Sequence, residues 1–101
     1  GLIGECELDR MPEESYLVNV ARGAVVDEDA LVDALRAGAV AGAALDVFET
    51  EPLPSESPLI GMEEAILGSH NAQNTEEAVS RVHDRAVANL IEGLTGKRPE
   101  L

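Results

Sequence analysis

The sequence predicts an α/β fold in which a parallel sheet of about three strands has helices packed on it. Three short apolar runs, at residues 16–20, 41–47 and 65–69, have the length and composition of buried strands. Stretches with the helical period of about 3.6 residues lie between the first two runs and after the third. A strand, a helix and a second strand with short connections form a βαβ unit, for which we expect a right-handed crossover.

The N-terminal region predicts a short helix followed by the first strand. The helix is expected to begin near Gly4 or Glu5, because Glu5 and Glu7 favour its positive N-terminal end. Pro12 is expected to end it. The strand at 16–20 shows no alternation of polar and apolar residues, so we expect both of its faces to be covered.

The second helix is expected at residues 28–37. Asp27 is a good N-cap, because its carboxylate can accept a hydrogen bond from the first turn, and Gly38 suits the position just after the last turn. The strand at 41–47 follows after a very short connection. The proline-rich stretch at 48–64 is then expected to be a loop.

The last helix is expected at about residues 75–94. Asn74, with Glu77 three residues later, resembles a capping box. Four apolar residues at helical spacing form a stripe that we expect to be buried: Val79, Val82, Ala86 and Leu90.

The charge of the chain excludes two classes of partner. There are 20 acidic and 7 basic residues, which gives a formal net charge of −13 at pH 7. Nucleic acids and anionic membranes are bound mainly through Lys and Arg, so neither is expected as a partner. An acidic excess with a single lysine indicates adaptation to high salt, where screening relieves the self-repulsion. An ordinary acidic cytoplasmic protein is the alternative.

Cysteine content and hydropathy limit the setting of the protein. Cys6 is the only cysteine, which excludes an internal disulfide and a cysteine metal cluster. The N-terminus has no pattern of a signal peptide, and no apolar run approaches the roughly 20 residues of a membrane span. We therefore expect a cytoplasmic protein without a metal site.

Ionisable residues occur at, or just past, the downstream ends of all three predicted strands. These residues are Arg22, Asp46, Glu51 and His70. In open α/β sheets, ligands bind in the crevice outside the carboxyl ends of the strands. The placement therefore predicts a catalytic site built from an arginine, carboxylates and a histidine.

Each of these side chains has a chemical and a structural interpretation. Arg22 could pair with the carboxylate of an organic acid, or it could be a surface arginine. Asp46 could accept a hydrogen bond from a polar ligand such as a carboxamide, or from nearby backbone N–H groups. Glu51 could orient the His70 imidazole for proton transfer, or it could be an exposed loop acid beside a structural histidine.

The literal sequence at residues 19–35, 41–54 and 67–79 makes the catalytic interpretation specific. In order and spacing, these segments resemble the C-terminal half of the nucleotide-binding domain of the D-isomer-specific 2-hydroxyacid dehydrogenases. That family includes phosphoglycerate, glycerate/hydroxypyruvate, glyoxylate and D-lactate dehydrogenases. The resemblance implies that residues 1–101 form the C-terminal portion of a dinucleotide-binding domain, with a partial Rossmann-like sheet.

The resemblance also implies roles for the site residues. Arg22 matches the arginine that binds and polarises the substrate, and Glu51 matches the acid that pairs with the general acid/base, His70. Relatives that oxidise formate have an amide at the position of Glu51, which argues against formate as substrate. Asp46 matches the aspartate at the nicotinamide end of the cofactor. The cofactor pocket would be completed by Val20, Ala21, Arg22 and His70.

For cofactor and partners, the resemblance implies NAD, with NADP not excluded, and a small 2-hydroxy or 2-oxo acid. Phosphoglycerate, hydroxypyruvate and glyoxylate are the substrates to consider first. The full-length enzyme is expected to be a homodimer. The chain has no G-x-G-x-x-G motif and no separate substrate domain, so we expect it to bind NAD poorly and to be inactive alone.

A different class of function stays open on the sequence. The chain could be a non-catalytic α/β module for binding or assembly, which keeps the motifs only as scaffold. Apolar surface left bare on such a fragment could also drive its dimerisation.

Overall fold

The structure is a computed structural model that describes residues 1–96. It contains the three strands and three helices that the sequence predicts, and it confirms the partial Rossmann-like α/β architecture. In chain order the elements are α1 (Glu5–Leu8), β1 (Tyr16–Asn19), a 3-10 turn (Gly23–Val25), α2 (Glu28–Ala37), β2 (Gly42–Leu45), β3 (Ala65–Leu67) and α3 (Glu76–Leu94).

The strands form a parallel sheet in the order β1-β2-β3. Their last paired residues lie side by side, with Asn19 opposite Leu45 and Leu45 opposite Leu67. The carboxyl ends of all three strands therefore meet at one edge of the sheet. The helix α2 makes the crossover between β1 and β2, as predicted for a βαβ unit.

The sequence of α2 explains both of its ends. The Asp27 carboxylate accepts a hydrogen bond from the N–H of Ala30 at 3.0 Å, which satisfies a donor of the first turn. Gly38 adopts a left-handed conformation with φ 70°. Its N–H donates to the carbonyls of Ala34 and Leu35, which closes the last turn.

The core lies on the face of the sheet that α1 and α2 cover. Apolar residues of both helices, of β2 and of the segments that connect the elements pack into one buried cluster. The members of this cluster are Leu8, Val26, Leu31, Val32, Ala34, Leu35, Val40, Ala43, Leu45, Phe48 and Leu59.

The opposite face of the sheet is open, which corrects the expectation that both faces of the first strand are covered. Tyr16 and Val18 of β1 and Ile66 of β3 are 72%, 66% and 74% exposed. Asn19, which points to the core side, is buried. An apolar run indicates that a strand is suited to burial on both faces. Within residues 1–96, however, the helices cover only one face of the sheet.

The helix α3 lies where it was predicted, but it is not buried. Its N-cap is Thr75 rather than Asn74, and the Thr75 hydroxyl accepts a hydrogen bond from the N–H of Ala78 at 3.1 Å. None of its residues is buried, and Leu90 in the predicted buried stripe is 63% exposed. No helix within residues 1–96 combines the length and apolar character needed to cross a membrane.

Candidate active site

The candidate site lies at the edge of the sheet where the three strands end. The segment after β1 carries Arg22, and the segment after β2 carries Asp46 and Glu51. His70 follows β3. Parallel pairing of the strands thus brings these three segments to the same edge, as the sequence predicts.

Glu51 and His70 form a direct pair. Their side chains lie 2.7 Å apart between Oε2 and Nδ1, and because a carboxylate only accepts, the Nδ1–H donates. The second carboxylate oxygen, Oε1, accepts from the N–H of Phe48 at 3.0 Å. The bond from His70, together with that from Phe48, lowers the pKa of the Glu51 carboxyl. Since Nδ1 is engaged, Nε2 is the ring nitrogen left for proton transfer.

Asp46 is buried and engages the segment after β3. Its Oδ2 accepts a hydrogen bond from the N–H of Ala72 at 2.8 Å. This bond lowers the pKa of the Asp46 carboxyl against the opposing effect of burial, and the N–H groups of Asn71 and His70 lower it further. The carboxylate is thus held ionised by backbone dipoles.

The loop that carries His70 has an unusual backbone. Among residues 1–96, His70 is the only non-glycine residue with a positive φ, at 58°. Two residues earlier, Gly68 passes so close to Asp46 that a Cβ would lie 2.3 Å from Oδ1. The sequence shows a glycine here but not the contact that requires it.

Asn19 is a functional candidate that the sequence reasoning missed. It is buried at the end of β1, where its Nδ2 donates to the carbonyl of Arg22 at 3.0 Å. Its Oδ1 accepts from the N–H of Ala21 at 3.1 Å. Asn19 therefore fixes the loop that carries Arg22 through two hydrogen bonds to the backbone of that loop. The signal that could have revealed it is a polar residue at the last position of an apolar strand.

The loop of Arg22 also packs directly against the segment that leads to Glu51. A Cβ at Gly23 would lie 1.9 Å from the backbone carbonyl of Phe48. In addition, the N–H of Glu28 donates to the Glu49 carboxylate, and the N–H of Glu49 donates to the Glu28 carboxylate. These contacts fix the Glu51 segment against the start of α2.

Arg22 itself is exposed, and its guanidinium donates to the carbonyl of Ala21 at 2.6 Å. Its positive charge contributes, as the smallest of the causes, to the lowered pKa of Glu51. The structure thus joins Glu51 with His70, joins Asp46 with the His70 loop, and places Arg22 within electrostatic reach of the pair.

Two recesses flank the loop of His70. On one side, a cavity of about 490 Å³ has Glu51, His70 and Phe48 in its walls. On the open face of the sheet, a smaller recess of about 160 Å³ is lined in part by Val20 and Asp46. Within the described residues, no cluster of three or more His, Cys, Asp or Glu side chains could hold a metal ion.

Known proteins resemble this chain along nearly its whole length. It is 50% identical over 98 residues to a glyoxylate reductase of Thermofilum pendens, and 43% identical over 95 residues to a glyoxylate/hydroxypyruvate reductase B of Enterobacter sp. strain 638. Each match covers at least 94% of this chain but 29% of the relative. The chain therefore spans less than a third of the length of these relatives.

Solved structures show the same resemblance. A D-isomer specific 2-hydroxyacid dehydrogenase from Xanthobacter autotrophicus Py2, solved in complex with NADPH and MES, matches with a TM-score of 0.81 and 40% identity. The match covers 96% of this chain and 39% of that one. Residues 1–72 also match the family model described as "D-isomer specific 2-hydroxyacid dehydrogenase, NAD binding domain". The chain belongs to the D-isomer specific 2-hydroxyacid dehydrogenase family.

Proposed function

We propose that this chain is the C-terminal part of the NAD-binding domain of a dehydrogenase that interconverts a small 2-hydroxy acid and its 2-oxo acid. The observation that carries the proposal is the Glu51–His70 pair, 2.7 Å apart at the carboxyl edge of the sheet. The names of the relatives favour glyoxylate or hydroxypyruvate as the 2-oxo acid. The carboxylate of Glu51 argues against formate, as the family resemblance implies.

The proposed proton transfer follows from the pair. In the oxidation direction, Nε2 of His70 takes the hydroxyl proton while C2 loses hydride; in reduction, the protonated imidazole returns the proton. Glu51 fixes the orientation of the ring through Nδ1 and leaves Nε2 for the transfer. A bound nicotinamide supplies the hydride acceptor or donor.

Arg22 would hold the substrate for this transfer. Its guanidinium can form two parallel hydrogen bonds to a carboxylate, which orients the acid relative to the imidazole. Asn19 and Gly23 support this role, because they fix the loop that carries Arg22.

We propose that the nicotinamide end of the cofactor binds at the recess on the open face of the sheet. This recess has almost entirely apolar walls, and Val20 and Asp46 are among the residues that line it. Ala21, Arg22 and His70 are proposed to complete the cofactor contacts. No G-x-G-x-x-G motif is present to hold the pyrophosphate. We therefore propose that residues 1–101 bind NAD or NADP weakly and are inactive alone, within a cytoplasmic, homodimeric full-length enzyme.

A chimaera tests the proposal directly. Residues 1–101 would replace the matching segment of the Thermofilum pendens glyoxylate reductase, and NADH- or NADPH-dependent reduction of glyoxylate and hydroxypyruvate would be measured. We expect activity, and we expect His70→Gln to lower kcat by at least about 10²-fold with cofactor binding retained. His83→Gln, which changes the other histidine, in the exposed helix α3, is the matched control and should leave kcat unchanged.

Two results would contradict the proposal. One is a folded chimaera that binds the cofactor but has no activity, which would favour a non-catalytic module. The other is a His70→Gln variant whose turnover is unchanged. Tight NAD binding by the 101-residue chain alone would refute only the proposed dependence on the rest of the enzyme.

A further inference from the structure

The backbone that carries His70 needs a stabilising contact. A left-handed conformation is unfavourable for a residue with a Cβ, and it persists only where its surroundings impose it. His70 has φ 58°, and the residues that follow it are exposed. Within this segment, Nε2 of Gln73 donates to the carbonyl of His70 at 3.3 Å, which is longer than the contact that Asp46 makes.

The Asp46 carboxylate is placed to supply it. Successive backbone N–H groups around a left-handed residue form a concave nest that binds an anion. Here the segment 70–72 begins at the left-handed residue His70, and its N–H groups lower the pKa of the Asp46 carboxyl, with that of Ala72 the largest cause. The N–H of Ala72 donates a hydrogen bond to Oδ2 of Asp46 at 2.8 Å.

The space around Asp46 is shaped for this contact. Asp46 is one of two buried polar side chains within residues 1–96, and it lies at the end of the central strand. Its N–H donates to the carbonyl of Asn19 at 3.0 Å, which fixes it to β1. Gly68, whose N–H donates to the carbonyl of Leu45 at 2.7 Å, has no side chain to displace the carboxylate.

We propose that Asp46 is a positioning residue for His70: its carboxylate accepts the hydrogen bond from the N–H of Ala72 and thereby imposes the left-handed turn that presents the imidazole to Glu51. The inference rests on the proposed role of His70 in proton transfer. It adds to that role an action through the backbone, which differs from a contact between Asp46 and a cofactor.

NMR of the 101-residue chain tests the geometry without any activity. The readouts are the hydrogen exchange of the Ala72 amide and the three-bond coupling between the amide and α protons of His70, which depends on φ. In Asp46→Ala we expect exchange at Ala72 to rise at least about tenfold and the coupling to leave its left-handed value. Asp46→Asn, which keeps the shape without the charge, should show a smaller change in the same direction.

An exposed carboxylate outside the site serves as the control. Asp33→Asn removes an exposed carboxylate of α2, which forms an ion pair with Arg36 at 3.9 Å. This variant should change neither readout. Unchanged exchange and coupling in both Asp46 variants would overturn the proposal.

The wild-type chain gives a measurement that needs no variant to fold. When the pH is lowered, the chemical shift of the Ala72 amide should titrate together with the carboxyl carbon of Asp46. Independent titration of these two signals would overturn the proposal.

Kinetic measurements on the chimaera distinguish a positioning role of Asp46 from a contact between Asp46 and the cofactor. In the chimaera, Asp46→Asn should lower kcat about tenfold or more, with KM for the oxo acid unchanged, because Arg22 still binds the acid while the imidazole is misplaced. A changed KM for the nicotinamide cofactor with unaltered NMR readouts would mean that Asp46 serves only the cofactor. An active His70→Gln chimaera would refute the proposed function, and the NMR result would still decide the positioning contact.

Discussion

The helices α2 and α3 have the same kind of sequence and opposite surroundings. Both are amphipathic, and each begins at a side-chain cap, Asp27 for α2 and Thr75 for α3. No residue of α3 is buried, whereas α2 buries four: Leu31, Val32, Ala34 and Leu35. The apolar period thus defines which face of a helix can be buried, and the packing partner decides whether it is.

The partner of α2 comes from the chain itself. The helix α1, the strand β2 and the loops after it supply apolar side chains to one cluster. By contrast, α3 has no buried residue. It is a long helix of 19 residues, about 28 Å at about 1.5 Å per residue, in a molecule that is 55 Å long. The bare face of the sheet and the apolar stripe of α3 are two uncovered surfaces of the same fragment.

The largest expected effect compares one leucine from each helix. Leu31 is fully buried, so Leu31→Ala should lower the free energy of unfolding by about 2–5 kcal/mol, since it removes buried methyl groups and leaves a cavity. Leu90→Ala, the matched change in α3, should alter it by less than about 0.5 kcal/mol. Urea denaturation followed by circular dichroism measures both.

Equal losses of stability in the two variants would contradict this comparison. They would mean that Leu90 is packed in solution, for example against a second copy of the chain. Sedimentation at high salt would then distinguish a dimer from a monomer.

The same contrast explains which features could be predicted from the sequence. The bounds of α2 and α3 follow from local period and caps. The placement of the segments that carry Arg22, Glu51 and His70 at one edge follows from strand ends in a parallel sheet. Burial of α3 could not be predicted correctly, because burial is a contact between distant parts of a chain and local sequence contains only one of the two surfaces.

Within the site, the unpredicted features are also non-local. The hydrogen bonds of Asn19 with its loop, the left-handed turn at His70 and the close approach of Gly68 to Asp46 depend on how neighbouring segments pack. A lone Asn or Gly in a sequence has many structural uses, so residue type alone could not identify these contacts.

A smaller effect is expected from the two N-caps. Asp27→Ala should lower the free energy of unfolding by about 1 kcal/mol, because the first turn of a packed helix loses the acceptor for the Ala30 N–H. Thr75→Ala removes the equivalent bond to Ala78 in α3, so it should reduce the helical signal and leave the urea midpoint unchanged. A shift of the midpoint in Thr75→Ala would show that α3 unfolds together with the core.

The smallest effect concerns pH, and it arises from two carboxylates of the candidate site. The pKa values of Glu51 and Asp46 are lowered in the folded state from 4.5 and 3.8, mainly by the hydrogen bonds from His70 and from the N–H of Ala72. The unfolded chain therefore takes up these protons first as the pH falls. The stabilisation is complete above about pH 4.5 and is lost as the pH falls through the lower folded-state values.

Urea midpoints measured from neutral to acidic pH test this dependence. Glu51→Gln should weaken the loss of stability at acidic pH, because the substituted amide does not titrate there. Glu63→Gln, an exposed loop residue before β3, is the control and should retain the wild-type pH dependence. If Glu51→Gln and the wild type lose stability in parallel, the pair with His70 does not hold in solution.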